Sequence, residues 1–160
     1  MSEKKLARRA RLLRLGLNFY PPYVGAGIRV RAISSDFRHV RVRMGLGWYN
    51  RNYVRTQFGG SLYSMTDPFF MLMLMQLLGR DYIVWDKAAS IDFVSPGKGP
   101  VYADFHIDDA LLTDIRTHTA GGDKYLPQLH VEIRDGSGTL VATVHKTLYV
   151  RLKPRARQAA

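Results

Sequence analysis

The sequence predicts an α+β fold: an antiparallel β-sheet wrapped around one long central α-helix, with an extra helix at the N-terminus. Three observations carry this. Between Gly59-Gly60 and Leu78, the residues Leu62, Met65, Phe69 to Met75, Leu77 and Leu78 make a helix apolar on nearly every side, a pattern that calls for burial all round. Before and after it, apolar and polar residues alternate with the period of half-buried strands. The resulting order of helix, two strands, central helix and four strands calls for a sheet folded onto that helix.

The elements follow in chain order. Leu6, Ala10, Leu13 and Leu17 draw one apolar stripe on a first helix, with Arg8, Arg9, Arg11 and Arg14 mostly off it. Residues 1–20 are therefore read as a basic amphipathic helix, 21–151 as the main domain and 152–160 as a basic tail. Tyr20-Pro21-Pro22 reads as a break, and Gly25-Ala26-Gly27 as a turn before the first strand. Ile28, Val30 and Ala32 alternate with Arg29 and Arg31, and Val40, Val42 and Met44 with Arg41 and Arg43, so these two strands form a hairpin through Ile33-Ser34-Ser35-Asp36. Within the central helix, Pro68 lacks the N–H that would bond to Ser64, which predicts a kink or restart at Asp67-Pro68. Gly79 ends it. Strands are then expected over Tyr82 to Val94, Val101 to Ile107, Leu129 to Ile133 and Leu140 to Arg151, the last two joined by the hairpin signal Asp135-Gly136-Ser137-Gly138. Asp108 to Thr119 reads as a short helix with an acidic start.

The chain has 160 residues and a net charge of +11. Most of that charge lies in the end segments, because residues 21–150 hold 14 bases against 12 acids. Within this part, Gly27 to Arg55 carries seven Arg against Asp36, while Asp81 to Asp135 carries ten acids against five bases. Such an asymmetry suits an anionic ligand on one side. The absence of Cys removes thiol nucleophiles and thiolate metal sites. The basic start lacks an apolar secretory core and Phe69 to Leu78 is too short to span a bilayer, so a soluble cytoplasmic protein is expected. A membrane-surface or RNA contact through the basic helix stays open.

Familiar motifs are absent. Gly25-Ala26-Gly27 lacks the third glycine of a dinucleotide loop, and Pro96-Gly97-Lys98-Gly99-Pro100 lacks Walker spacing and reads as a connecting turn. The five histidines show no HxH or HExxH spacing, so no metal is expected. Trp48, Tyr49, Tyr53 and Phe58 near the arginines can stack bases, but no RNA-binding module accompanies them, and a nucleic-acid partner is not expected. Met71, Met73 and Met75 fill a core or line an adaptable acyl pocket.

The segment Asn52 to Asp67 carries the chemistry. Gly59 and Gly60 open a helix, where free N–H groups and the positive dipole end can hold a carbonyl oxygen as it becomes an oxyanion. Asp67 lies seven residues on, roughly 10 Å along the axis at 1.5 Å per residue. That separation is too long for both to serve one carbonyl within a chain. Two antiparallel copies would bring the Asp67 of one to the glycines of the other. The competing reading makes Asp67 a cap for the helix that restarts after Pro68. Asp86, Lys87 and Asp92 are placed to form an ion-pair network beside the site.

These residues resemble the hot-dog superfamily. Its phenylacetyl-CoA-type thioesterases carry N-x-x-G-x-x-H-G-G before the central helix and an acidic residue seven positions after the second Gly. Asn52, Gly59, Gly60 and Asp67 match, while Arg55 replaces a Gly and Phe58 the His. A second hot-dog branch, with F-G-G-S-L-Y-[AS]-x-x-D segments, is similar to Phe58 through Asp67, and the likeness extends through Tyr82 to Lys87 and Ile91 to Gly97. The resemblance covers about residues 25–151 and gives 21–151 the hot-dog fold. It implies an acyl-CoA thioesterase-like enzyme acting on acyl-CoA or an acyl-carrier thioester, as a homodimer or tetramer and without a cofactor. By the same resemblance, the Gly60 amide with Ser61 polarises the thioester carbonyl, and Asp67 of the other subunit activates water or attacks directly. Asn52 orients the water or Asp67, while Gly59, Phe58 and Asn50 line the substrate side. Arg51, Arg55 and Lys98 would meet CoA phosphates. A non-catalytic acyl-thioester or lipid-binding homodimer is the alternative on the same fold.

Overall fold

The computed structural model describes residues 3–154. Its first helix, α1 (Glu3–Asn18), turns Leu6, Ala10, Leu13 and Leu17 inward as their spacing predicts. Asn18 ends it and ties it to the first strand, since its side chain accepts from the Val30 N–H at 2.7 Å and donates to the Val30 carbonyl at 3.1 Å. Arg14 adds a bond to the Arg31 carbonyl at 3.0 Å. One open edge of the sheet is thereby covered. The basic tail expected at 152–160 lies, from residue 155, outside the described residues.

The supposed break at Pro21-Pro22 is also a beginning. A short helix, α2 (Pro21–Ala26), starts with proline in its first turn, where no N–H is missed. Gly25 and Ala26, expected in a turn, are its last residues, and Gly27 closes it at φ 73°. A Cβ on Gly27 would meet Asn50 Nδ2 at 2.5 Å, so backbone and space both require glycine there.

The remaining elements are β1 (Ile28–Ile33), β2 (His39–Met44), α3 (Gly59–Ser64), α4 (Phe69–Leu78), β3 (Tyr82–Phe93), β4 (Val101–His106), α5 (Asp109–Thr119), β5 (Lys124–Tyr125), β6 (Gln128–Asp135) and β7 (Leu140–Leu152). All pairings are antiparallel, in the order β1-β2-β4-β6-β7-β3, with the unforeseen two-residue β5 added to the end of β7. α5 begins with a true cap, because the Asp108 carboxylate accepts from the Leu111 N–H at 2.8 Å. Replacing Asp108 with alanine is expected to cost about 1 kcal/mol. A lowered urea midpoint at constant slope would show it, and an unmoved midpoint would refute the cap's contribution.

The central helix restarts at Asp67-Pro68 as expected, dividing into α3 and α4. Leu62, Met65, Phe69, Phe70, Met73 and Leu74 are buried against the inner face of the sheet. Burial all round is not observed within the chain, since Met75 is 45% exposed and Met71 and Leu72 are only half-buried. The sheet covers one side of α4, and the other side is left partly open among the described residues. β3 shows the same incompleteness. Its twelve residues form a sheet edge on which none is fully buried.

Candidate functional site

Asp67 stands in the hinge between α3 and α4, and its carboxylate caps neither helix. α4 has no side-chain cap, and Asp67 instead accepts a hydrogen bond from Lys146 Nζ at 2.7 Å. The capping role is thereby excluded. Lys146 lies on β7, and its side chain is 1% exposed. It also reaches Asp86 on β3 at 3.4 Å and sits 5.3 Å from the centre of the Tyr63 ring. A buried ammonium needs this kind of company, because unpaired it would lose its hydration with no return.

The three groups perturb one another. Burial alone would raise the Asp67 carboxyl, but the hydrogen bonds from Lys146 and Asp86 and the lysine's charge hold it below the usual carboxylate range. Asp86 moves the other way, raised by burial and by its contact with Asp67. Burial pulls Lys146 down, yet its bond to Asp67 and the two acidic charges leave it raised. Of the two carboxyls, Asp86 is thus the one pushed up and Asp67 the one held down. Tyr23, whose phenol is raised by burial and by Asp67, donates to the Asp67 main-chain carbonyl and fixes the hinge from α2.

Asp67 is also the group of this triad that faces outward, its side chain 49% exposed. It opens on a groove of about 550 Å³ between α1 and the α3–α4 hinge, walled mostly by apolar groups.

The glycine turn has a packing reason. A Cβ on Gly60 would come within 2.7 Å of the Phe58 ring, and one on Gly59 within 2.9 Å of the Phe93 ring. Ser61 and Leu62 N–H both bond to the Phe58 carbonyl, so the Gly59 and Gly60 amides stand ahead of the helical ladder. Asn52 braces the preceding loop. Its side chain accepts from Thr56 N–H at 2.9 Å and donates to Thr56 Oγ1 at 2.9 Å and the Gln57 carbonyl at 3.2 Å. Asn50, expected on the substrate side, is buried and engaged with Ala26, Gly45 and Gly47, so it shapes the loop.

Within one chain, seven of the expected site residues line three separate depressions, and Gly60 lines none of the three. Asn50, Arg51, Phe58 and Ser61 share one, Asn52 and Gly59 a second, and Asp67 the third. Arg51, Arg55 and Lys98 are exposed and make no ion pair among the described residues. The expected network of Asp86, Lys87 and Asp92 is replaced: Asp86 joins Lys146, Asp92 pairs with His145 at 3.2 Å, and Lys87 is exposed. Lys87 falls where the register of β3 slips against β7, between Asp86 and Ala88, so it has no cross-strand partner in the ladder. Strand register also places His39 beside His106, with Asp104 bonded to His39 at 2.9 Å, a grouping the histidine spacing does not reveal.

Lys146 is the principal residue that sequence reasoning missed. A signal existed. Ala142, Val144, Lys146, Leu148 and Val150 occupy one phase of β7, and a cation in an apolar phase demands buried acid.

Sheet and broken central helix together form the hot-dog fold. The chain belongs to the family described as a domain of unknown function, DUF4442, whose model matches residues 8–150. Among solved structures, it resembles a Pseudomonas aeruginosa protein of unknown function termed a probable thioesterase, with TM-score 0.77 and 19% identity over 89% of this chain and 95% of that one. A Haemophilus influenzae thioesterase superposes with TM-score 0.65 at 14% identity, covering 88% and 89% of the two chains. The Escherichia coli PaaI protein of the phenylacetic acid degradation operon gives 0.61 at 16%, covering 95% and 97%. At these identities the likeness establishes the fold. A search of the curated proteins finds no match. No helix among the described residues is long and apolar enough to cross a membrane.

Proposed function

We propose that the protein is an acyl-CoA thioesterase-like hydrolase that cleaves a fatty or aromatic acyl thioester at a site shared between two protomers. The observation that carries this is Asp67: an ionised carboxylate fixed by a buried lysine, half-open, at the end of an apolar groove. In the reaction, Asp67 takes a proton from water as the water oxygen bonds to the thioester carbon. The carbonyl oxygen gains the negative charge and is held by the Gly60 amide, with Ser61, of the partner protomer. The C–S bond then breaks, and the thiolate leaves with the proton. Arg51, Arg55 and Lys98, free of acidic partners among the described residues, suit the CoA phosphates. Asn52 contributes by holding the loop that presents Gly59 and Gly60.

A two-fold dimer supplies what the single chain lacks. The open edge of β3, with Trp85 44% and Phe93 60% exposed, can pair with its own copy, and the partly open side of α4 can meet its mate. The separation of Asp67 from the glycine turn within one chain supports this arrangement.

The test is thiol release from a panel of short, medium, long and aromatic acyl-CoAs. Turnover of at least one substrate is expected. No release from any of them would overturn hydrolysis and favour the non-catalytic acyl-binding dimer, a reading that the replacement of the family's His by Phe58 keeps specific.

A further inference from the structure

We propose that the groove between α1 and the α3–α4 hinge is the acyl-chain subsite of this protein, and that Gly16 sets the chain length it admits. The inference rests on the thioester-hydrolase reading and adds a location and a substrate class to it.

The groove has two kinds of lining. Leu12, Gly16, Tyr20, Pro68 and Leu72 contribute apolar walls, and the Asp67 carboxylate stands among them. Its volume of about 550 Å³ falls in the range of small-molecule sites. Leu12 and Gly16 are four residues apart and share a side of α1 next to Leu13 and Leu17 of the docked stripe, which line the same groove. Leu12 is 57% exposed and Tyr20 50%, although neither is needed by the core.

Gly16 is the most informative of these residues. Glycine inside a helix weakens it relative to alanine, because the backbone has more freedom to lose. The usual reasons for tolerating one are missing: its φ is not positive, and a Cβ built there meets nothing within 4 Å. The space it leaves belongs to the groove.

The chemistry of the occupant follows from the polar groups. Tyr23 and Ser64 hydroxyls are engaged with the main-chain carbonyls of Asp67 and Gly60, so they offer a ligand little, while Tyr20 and Tyr63 bring two further hydroxyls to the lining. The remaining charge is the Asp67 carboxylate, which repels a free fatty acid and accepts a neutral thioester. An aliphatic acyl chain lying along α1 therefore puts its carbonyl carbon, rather than a carboxylate, beside Asp67. After hydrolysis the product acid meets a like charge and leaves.

The experiment pairs binding with turnover. Non-hydrolysable alkyl-CoA thioethers with chains of about 4, 8 and 12 carbons are titrated calorimetrically into wild type, Gly16→Leu and Leu12→Gln, and the matching acyl-CoAs are assayed for thiol release. Wild-type affinity should rise with chain length. Gly16→Leu, which fills the space without a backbone clash, should lower the ratio of longest-chain to shortest-chain affinity at least tenfold while melting no lower than wild type. Leu12→Gln, on an exposed helix surface, should flatten the same ratio and keeps the test open should the first variant misfold. An unaltered ratio in both folded variants, or no thioether binding by wild type, overturns the subsite. Binding that follows this pattern without any hydrolysis leaves the subsite standing and removes the hydrolase reading. Hydrolysis with chain-length profiles identical across the three proteins does the reverse.

Discussion

Replacing Asp67 with asparagine should reduce thioester hydrolysis by about 10²–10⁴-fold, the span typical of losing a general base, while the protein stays folded. Asparagine keeps the shape of the carboxylate and retains an oxygen that can accept from Lys146 Nζ, now 2.7 Å from the Asp67 carboxylate. It cannot accept the proton of an attacking water. Because Asp67 is half-exposed and Lys146 keeps Asp86, the stability cost should be only about 1 kcal/mol. The pair of measurements is kcat/KM by thiol release and the urea midpoint of the same preparation. Wild-type turnover in the variant would remove Asp67 from the chemistry, whatever the fold. The pH dependence offers an independent check. Asp67 is held below the ordinary aspartate value of about 3.9, so its base form persists through the neutral and mildly acidic range. Any fall of wild-type kcat/KM due to this group should thus have its midpoint below the ordinary aspartate value of about 3.9.

Much of the architecture was legible because local chemistry and global fold agree. Asp135-Gly136-Ser137-Gly138 forms the turn its composition announces, with the Asp135 carboxylate accepting from Ser137 and Thr139 N–H at 2.9 and 3.0 Å. Asp108 caps α5, and the missing N–H of Pro68 divides the central helix. What escaped depends on partners distant in sequence. Lys146 and Asp67 are 79 residues apart, and Asp86 joins them through the pairing of β3 with β7. Local spacing pointed instead to Lys87, the nearest base. Asn50 and Asn52 were legible as polar loop residues, but their partners are main-chain groups of their surroundings, which no motif records. The all-round apolarity of α4 was read as burial on every side, whereas among the described residues the sheet covers one side and Met75 is 45% exposed on the other.

The largest effect on stability is expected from Lys146→Met. Methionine matches the length of the lysine stem and removes only the ammonium, together with its place 5.3 Å from the centre of the Tyr63 ring, so the change isolates the charge. Removing one partner from a buried ion pair typically costs about 3–5 kcal/mol, and the half-open position of Asp67 brings the expectation here to roughly 2–4 kcal/mol at pH 7. The sign of the pH dependence distinguishes charge from packing. In the wild type, Asp67 is lowered, so its contribution is present above its unfolded value and is lost as pH falls through the folded one. Lys146 is raised, so its contribution is present below its unfolded value and is lost as pH rises through the folded one. The pair therefore stabilises most between about pH 4 and pH 10.4. Without the lysine, Asp67 and Asp86 face each other with no cation, and their folded pKa values rise together. The folded variant then binds protons more readily than its unfolded chain, and acid relieves its repulsion. Urea titrations at pH 7 and pH 4.5 should accordingly show the gap between variant and wild type shrinking as pH falls. A gap of the same size at both pH values would mean that Lys146 acts by filling space, and that the ionisation of Asp67 does not depend on it. The same rise in carboxylate pKa should move the acid limb of kcat/KM toward neutrality, a change that a packing defect alone would not produce.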